Sequence, residues 1–135
     1  MAQPTARLYS QQLVHYLRFE VNYNDTGVGS GIRKGTLPSG AIIIGTDIHV
    51  ATAFNAATTN SLTVGGNSAS YNDIMAAADA DEAATGLTQN IKPTGSSLGK
   101  LAADRDVYVM FQQTGTAATA GKAQVIIKYI PDNDG

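Results

Sequence analysis

The chain has 135 residues, of which 43% are hydrophobic and only 15% charged, with 14 glycines and no cysteine. This length is typical of one domain that buries its own core. A net charge of −2 offers no basic surface to neutralise phosphates, which argues against nucleic acid as the main partner. Without cysteine, the chain has neither disulfides nor thiolate ligands for a metal.

The first 12 residues, MAQPTARLYSQQ, are polar and predict an extended arm that either frays or orders on a neighbouring subunit. They lack the apolar segment of a secretory signal, and no window approaches the roughly 18 apolar residues of a membrane helix. We therefore expect no membrane partner and no cleaved export signal. Residues 13–131 are expected to form one β-sandwich domain, with 132–135 as a flexible tail.

The first predicted strand covers residues 13–23, where apolar and polar side chains alternate. A turn over residues 24–31 follows, and residues 32–37 predict a short strand. The turn contains Gly27, Gly29 and Gly31, which superficially resemble a phosphate loop. That motif requires a helix whose first amides hold the anion, whereas a strand follows here, so we reject it.

A longer strand is predicted after the turn Leu37-Pro38-Ser39-Gly40, in which Gly40 can adopt a positive φ. Apolar or β-branched residues then occupy every even position for about 13 residues, as expected of a strand with one buried face. The other face carries Asp47 and His49. The expected buried set is Ile42, Ile44, Thr46, Ile48, Val50, Thr52 and Phe54.

The second half of the chain predicts short strands at 62–64 and 87–91 and two clearer ones at 106–113 and 123–130. Residues 71–80 suggest one or two helical turns. We expect the last two strands to form a hairpin around the loop 115–121. Their apolar residues on both faces indicate central strands or strands covered by another subunit. Seven or eight strands without a βαβ rhythm predict an all-β, antiparallel sandwich.

Catalytic chemistry is poorly represented in the sequence. His15 and His49 lie on different predicted strands, and no Gly-x-Ser-x-Gly elbow is present. Carboxylates that could form a glycosidase pair are Glu20, Asp47 and Asp73, but the chain has no tryptophan to provide a sugar platform. We predict no catalytic, cofactor-binding or metal-binding residue and no cofactor. Six tyrosines are better suited to protein interfaces.

One acidic segment holds candidate ligands for a hard cation such as calcium, namely Asp79, Asp81 and Glu82. The segment lacks the glycine and the distant glutamate of an EF-hand loop. The simpler interpretation is a solvated acidic loop, and a metal-dependent hydrolase remains a minor alternative. Whether the segment binds a cation stays open.

Several phrases of the sequence resemble small structural proteins encoded with the head genes of tailed bacteriophages. They are GIRKGTLPSGAII from Gly31, VATAFN from Val50, GTAATAGKAQV from Gly115 and KYIP from Lys128. The resemblance covers most of residues 13–131. It implies a jelly-roll β-sandwich and a capsid decoration, or cement, protein on the outer surface of the virion. It supplies no catalytic residues.

The resemblance further implies that the chain forms a homodimer or homotrimer and binds the major capsid protein, after synthesis in the cytoplasm of a bacterial host. The lack of catalytic motifs, the low charge and the strands with two apolar faces are consistent with such an assembly component. The alternative is a receptor-binding or glycan-binding domain of a head or tail fibre on the same fold. The sequence leaves dimer versus trimer, and head versus tail attachment, open.

Overall fold

The computed structural model describes residues 14–132 and contains seven β-strands, with two short 3₁₀ turns at Ala77–Asp79 and Gly95–Ser97. The strands are β1 His15–Asn22, β2 Ile32–Leu37, β3 Ile42–Thr52, β4 Thr59–Gly65, β5 Gly86–Ile91, β6 Arg105–Thr114 and β7 Lys122–Ile130. This confirms the predicted all-β class with at most two helical turns. The helix suggested over residues 71–80 is reduced to the single turn at Ala77–Asp79.

The strands form a four-stranded sheet in the order β1-β7-β3-β5 and a three-stranded sheet in the order β2-β6-β4. All pairings are antiparallel. Consecutive strands always lie in different sheets, so every connection crosses the sandwich. This alternation is the jelly-roll arrangement. An isolated bridge between Val64 and Met75 extends the smaller sheet beyond β4, where a further strand would lie.

The predicted hairpin between the last two strands is wrong. β6 pairs with β2 and β4, whereas β7 pairs with β1 and β3 in the other sheet. The loop 115–121 is long enough to cross from one sheet to the other, so it does not impose the tight return that a two-residue turn would. Each strand is central in its own sheet, which confirms the interpretation of their two apolar faces.

The inner faces of the two sheets enclose one cluster of buried apolar side chains. Phe54 and Phe111 meet at its centre, with ring centroids 4.8 Å apart. Burying a side chain of this size contributes about 1.5–3 kcal/mol to folding. Other side chains with no exposed surface include Val21, Leu37, Ile48, Leu62, Ile74, Val107, Val109 and Ile127.

The predicted buried face of β3 holds for only part of the strand. Ile48 and Val50 are buried as expected, but Ile42 and Ile44 are 42% and 45% exposed, and Ile43 is buried instead. The register with β7 shifts between Ile43 and Gly45. A β-bulge places one extra residue in a strand and thereby reverses which positions face the core. The outward-facing isoleucines are therefore surface residues.

The turns agree with the expected backbone chemistry. Gly40 has a φ of +85°, and its N–H donates to the Leu101 carbonyl at 2.8 Å. In the glycine-rich turn, Gly27 and Gly31 also have positive φ, and β2 follows rather than a helix. This confirms that the turn is not a phosphate loop. The predicted arm at 1–12 lies outside the described residues, as does most of the tail at 132–135.

Within residues 14–132, no helix has both the length and the apolar character needed to cross a membrane.

Candidate interaction surface

The outer face of the four-stranded sheet carries most of the exposed large apolar side chains of residues 14–132. Along β1 the odd positions face the core, so Tyr16, Arg18 and Glu20 point outward. Paired positions of antiparallel strands share a face. The outward residues of β1 therefore stand level with Lys128, Ile126 and Gln124 of β7, and the sheet alternation continues into β3.

One end of this outer face is apolar. Ile42 of β3 pairs with Ile130 of β7, and His15 pairs with Tyr129, so the preceding Val14 lies level with Ile130. We call the five exposed residues at this end the apolar end. Relative exposures are 55% for Val14, 66% for Tyr16, 42% for Ile42, 45% for Ile44 and 43% for Ile130.

Exposed apolar side chains are common singly, but a contiguous group on one face marks an interaction site. The apolar end contains a tyrosine, which is enriched in interfaces because it buries a large ring and keeps a polar tip. It also adjoins the start of the described chain at Val14.

The remainder of the outer face is polar and carries charges of both signs. Arg18 donates from Nη2 to Oε1 of Gln124. Nζ of Lys122 lies 3.6 Å from Oε2 of Glu20. Lys128 bridges Oδ1 of Asp47 at 3.2 Å and Oδ1 of Asn90 at 3.0 Å. An exposed pair such as Lys122–Glu20 contributes at most about 1 kcal/mol, so it gives this face its pattern of charge more than its stability.

Asp47 was expected on the less apolar face of β3, and the structure places it there with a structural role. Its Oδ1 accepts the backbone N–H of Asn90 at 3.0 Å, and the side chain is 9% exposed. Asn90 has a φ of +61°. This backbone conformation costs a non-glycine residue about 1–3 kcal/mol, so it persists only where surrounding contacts hold it. The Asp47 carboxylate therefore fixes the irregular end of β5.

The two histidines do not form a site. His15 lies at the start of β1, with its ring 5.9 Å from that of Tyr129. His49 is exposed on β3 and pairs with Gln124. On β7, His15 pairs with Tyr129 and His49 pairs with Gln124, so the two rings lie at different points along the sheet.

The acidic segment does not gather its carboxylates around a common point. Asp79 accepts the N–H of Ala76 at 2.8 Å, and Asp81 accepts the N–H of Ala83 at 3.1 Å. Both carboxylates cap their own local backbone. Within the part of the chain that the structure describes, no group of three or more His, Asp or Glu side chains could hold a metal ion.

Glu82 departs from the expectation of a solvated loop. It is 3% exposed, and its Oε1 accepts the N–H of Leu62 in β4 at 2.9 Å. Burial raises the pKa of the Glu82 carboxyl above its ordinary value; hydrogen bonds from backbone N–H groups oppose the rise, and the charge of Asp81 adds to it. The side chain thus ties residues 81–84 to the free side of β4.

A second buried acid holds the segment after β4. Asp73 is 5% exposed and receives hydrogen bonds from Nη2 of Arg105 and from the N–H of Gly66 at 2.9 Å. Removing one partner of a buried ion pair costs about 3–5 kcal/mol, because the other charge remains buried. The sequence suggested Asp73 only as one of several carboxylates and gave no reason to pair it with Arg105, which lies 32 positions away.

A shallow polar concavity lies on the smaller sheet. Its lining includes Thr59, Ser61 and Gln112, together with the backbone of Gly29. Thr59 and Thr114 share a hydroxyl–hydroxyl hydrogen bond of 2.7 Å. Hydroxyl and amide groups suit polar ligands such as sugars, but the only aromatic ring in the lining belongs to Phe111, which is 2% exposed. The concavity therefore offers no aromatic platform.

Sequence reasoning missed the apolar end because a strict period of two assigned Ile42 and Ile44 to the core. The signal that could have indicated it is the run Ile42-Ile43-Ile44 followed by Gly45. Three successive apolar residues cannot all face one side of a strand. Glycine inside a strand pattern is a common mark of a bulge.

No protein-family model and no curated protein matches this sequence. Solved structures do match the fold. A chain in the acidic stable capsid of the Helicobacter pylori bacteriophage KHP30 superposes with a TM-score of 0.60 and 17% identity, covering 87% of each chain. A chain of the Ralstonia phage GP4 capsid gives 0.58 and 23%, covering 89% of this chain and 85% of that one.

A chain of the capsid asymmetric unit of cyanophage Pam1 gives a TM-score of 0.62 and 18% identity, covering 97% of this chain and 92% of that one. Identities this low establish a shared fold and nothing further. The coverage is high in both directions for all three, so the likeness concerns whole chains. The β-sandwich is thus shared with chains found in phage capsids.

Proposed function

We propose that this chain is a bacteriophage virion structural protein, without enzymatic activity, that decorates the outer surface of the head as a homo-oligomer and strengthens contacts between capsomers. The observation that carries the proposal is whole-chain similarity in fold to chains from three phage capsids. The head-protein phrases in the sequence support the same role. Each bound copy would stabilise the assembled shell over its dissociated subunits by mass action.

The apolar end is the surface that we assign to the shell. It exposes five large side chains at one end of a sheet. Such a face can cover a junction between capsomers by burying area there, and the arm expected at residues 1–12 would extend the contact. The expected partner is therefore the major capsid protein, at an apolar region of its outer surface.

The test compares binding of surface variants to capsids purified from the phage that encodes the chain, stripped of this protein. Ile42→Ser with Ile130→Ser removes paired apolar groups from the apolar end and should weaken binding at least about tenfold, from the loss of about 1.4 kcal/mol or more. Leu87→Ser removes an apolar group that is at least as exposed (59%) but lies beside His49, at the other end of β3, and should leave binding unchanged. Equal binding by all three proteins would contradict the assignment of this surface.

The second candidate function, a glycan-binding fibre domain, is favoured by the polar concavity at Thr59, Ser61 and Gln112. A glycan array separates the two. Reproducible sugar binding that Gln112→Ala abolishes would support the fibre domain, and its absence together with capsid binding would support the decoration protein.

A further inference from the structure

The free edge of β1 differs from the other sheet edges in this fold. β4 is closed, because Met75 bridges to Val64 and Glu82 accepts the N–H of Leu62. β2 is broken by a register shift between Arg33 and Gly35. β5 is irregular as well, with a register shift against β3. Closure and bulges of this kind protect sheet edges from pairing with other chains.

β1 has none of these protections within the described residues. Its eight residues pair with β7 from His15 to Asn22 without any register shift. A regular, unbroken edge is a template for another strand.

The hydrogen-bond pattern identifies which backbone groups of β1 face outward from the sheet edge. The N–H of Tyr23 donates to the carbonyl of Gly121 at 3.1 Å, so the odd positions of β1 bond to β7. In an antiparallel ladder the alternate residues point the other way. The N–H and C=O groups of Tyr16, Arg18 and Glu20 are therefore directed to the free side, and those of Asn22 are occupied by the Asp25 turn.

We propose that the β1 edges of two copies pair antiparallel about a twofold axis at Phe19, joining the two four-stranded sheets into one. In this register Arg18 stands opposite the partner's Glu20, and Glu20 opposite the partner's Arg18. Both positions have edge-directed backbone groups, so each pair exchanges two N–H···O=C bonds. The proposal deepens the homo-oligomer of the proposed function and rests on it for its biological meaning.

Charge selects this register over its neighbours. Moving the axis to residue 18 places Arg18 opposite itself, and moving it to residue 20 places Glu20 opposite itself. Opposite charges on directly facing strand positions stabilise pairing, and like charges oppose it. Arg18 contacts the neutral Gln124 and forms no ion pair among residues 14–132, so its charge has no carboxylate partner there until a second copy supplies one.

The pairing has a consequence for attachment. Both copies present their apolar ends on the same face of the joined sheet, at opposite ends of it. A bivalent particle gains an effective local concentration for its second contact, which raises avidity by about 10²–10⁴ when the geometry permits both contacts. Contact with two capsomers at once is what a decoration protein requires.

The test is sedimentation equilibrium of the full chain across micromolar to millimolar concentration. The wild type should follow a monomer–dimer equilibrium. Arg18→Glu and Glu20→Arg each place like charges opposite one another and should each weaken dimerisation about tenfold or more. The double variant R18E/E20R restores opposite charges and should recover the wild-type constant. Lys92→Glu, an exposed charge reversal away from β1, should have no effect.

Three results would overturn the pairing: a monomer at every concentration, a trimer, since twofold pairing closes at two copies, or a dimer whose constant the Arg18 and Glu20 variants do not change. A dimer that follows the charge pattern but fails to bind capsids would leave the edge pairing intact and would contradict the proposed function instead. The two claims therefore fail separately.

Discussion

At the scale of single residues, two buried carboxylates hold loop segments against the smaller sheet. Glu82 and Asp73 both accept backbone N–H groups, and each fastens a segment that follows β4 to the smaller sheet. A buried carboxylate is costly unless it is hydrogen-bonded. Sequence spacing indicated neither role, because an acid in a loop is usually solvated, and only the fold brings Glu82 to Leu62 over an interval of 20 residues.

Glu82→Gln tests the buried acid through pH. Since the folded-state pKa of Glu82 is raised above the ordinary value of 4.5, protonation favours the folded state. Its stabilising contribution is fully present below 4.5 and is lost as pH rises through the folded-state pKa. The amide keeps an acceptor for the Leu62 N–H but cannot titrate.

The melting temperature of the variant minus that of the wild type should therefore increase as pH rises above 4.5 and then level off. Thermal unfolding followed by circular dichroism from pH 3.5 to pH 8 measures this difference. A difference that does not change with pH, or one that decreases, would contradict the assigned environment of Glu82.

At the scale of elements, alternation predicted strands well where one face is buried and the strand is regular. The predicted strands at 13–23, 32–37, 87–91, 106–113 and 123–130 each match a strand of the structure within a few residues. Which strands pair with one another was harder to predict from the sequence. A crossing loop and a hairpin loop can have the same composition, so nothing in residues 115–121 distinguished a jelly-roll crossing from a hairpin.

The bulge in β3 is the element-scale feature on which the proposed shell contact depends, because it moves two isoleucines from the expected core to the surface. Ile48→Ala should reduce the free energy of unfolding by about 2–5 kcal/mol, since the side chain is fully buried. Ile44→Ala, at a position of the same sequence parity, should cost less than about 1 kcal/mol. Urea denaturation of the two variants measures both values.

Equal losses from these two substitutions would mean that the period of two continues through β3 and that Ile44 belongs to the core. The comparison is matched, because residue type, strand and expected face are the same. It therefore reports the register shift between Ile43 and Gly45 and little else.

At the scale of the whole molecule, the four-stranded sheet separates two kinds of contact. Its edge carries the self-complementary charges of Arg18 and Glu20, and one end of its outer face carries the exposed isoleucines. The core lies on the other side of the same sheet. In the account proposed here, self-association and shell binding use neighbouring but distinct surfaces, so a dimer can form without covering the groups that contact the capsid.

The fold of the whole chain was accessible from sequence because seven alternating segments and frequent turns leave few alternatives to a sandwich. The candidate interaction surface could be predicted from the sequence only in part. It depends on a bulge and on which strand edges stay open, and both are properties of non-local pairing. The role in a virion was suggested by sequence phrases and gains support from the similarity to chains in phage capsids.

Electron cryomicroscopy of the phage particle that contains this chain would show where the protein binds. We expect jelly-roll density on the outside of the head at capsomer junctions, with the apolar end of Ile42 and Ile130 against the shell. Particles that lack the gene should lose this density and release their DNA at a lower temperature. Density confined to the tail or to the interior of the head, or intact heat resistance without the protein, would contradict this expectation.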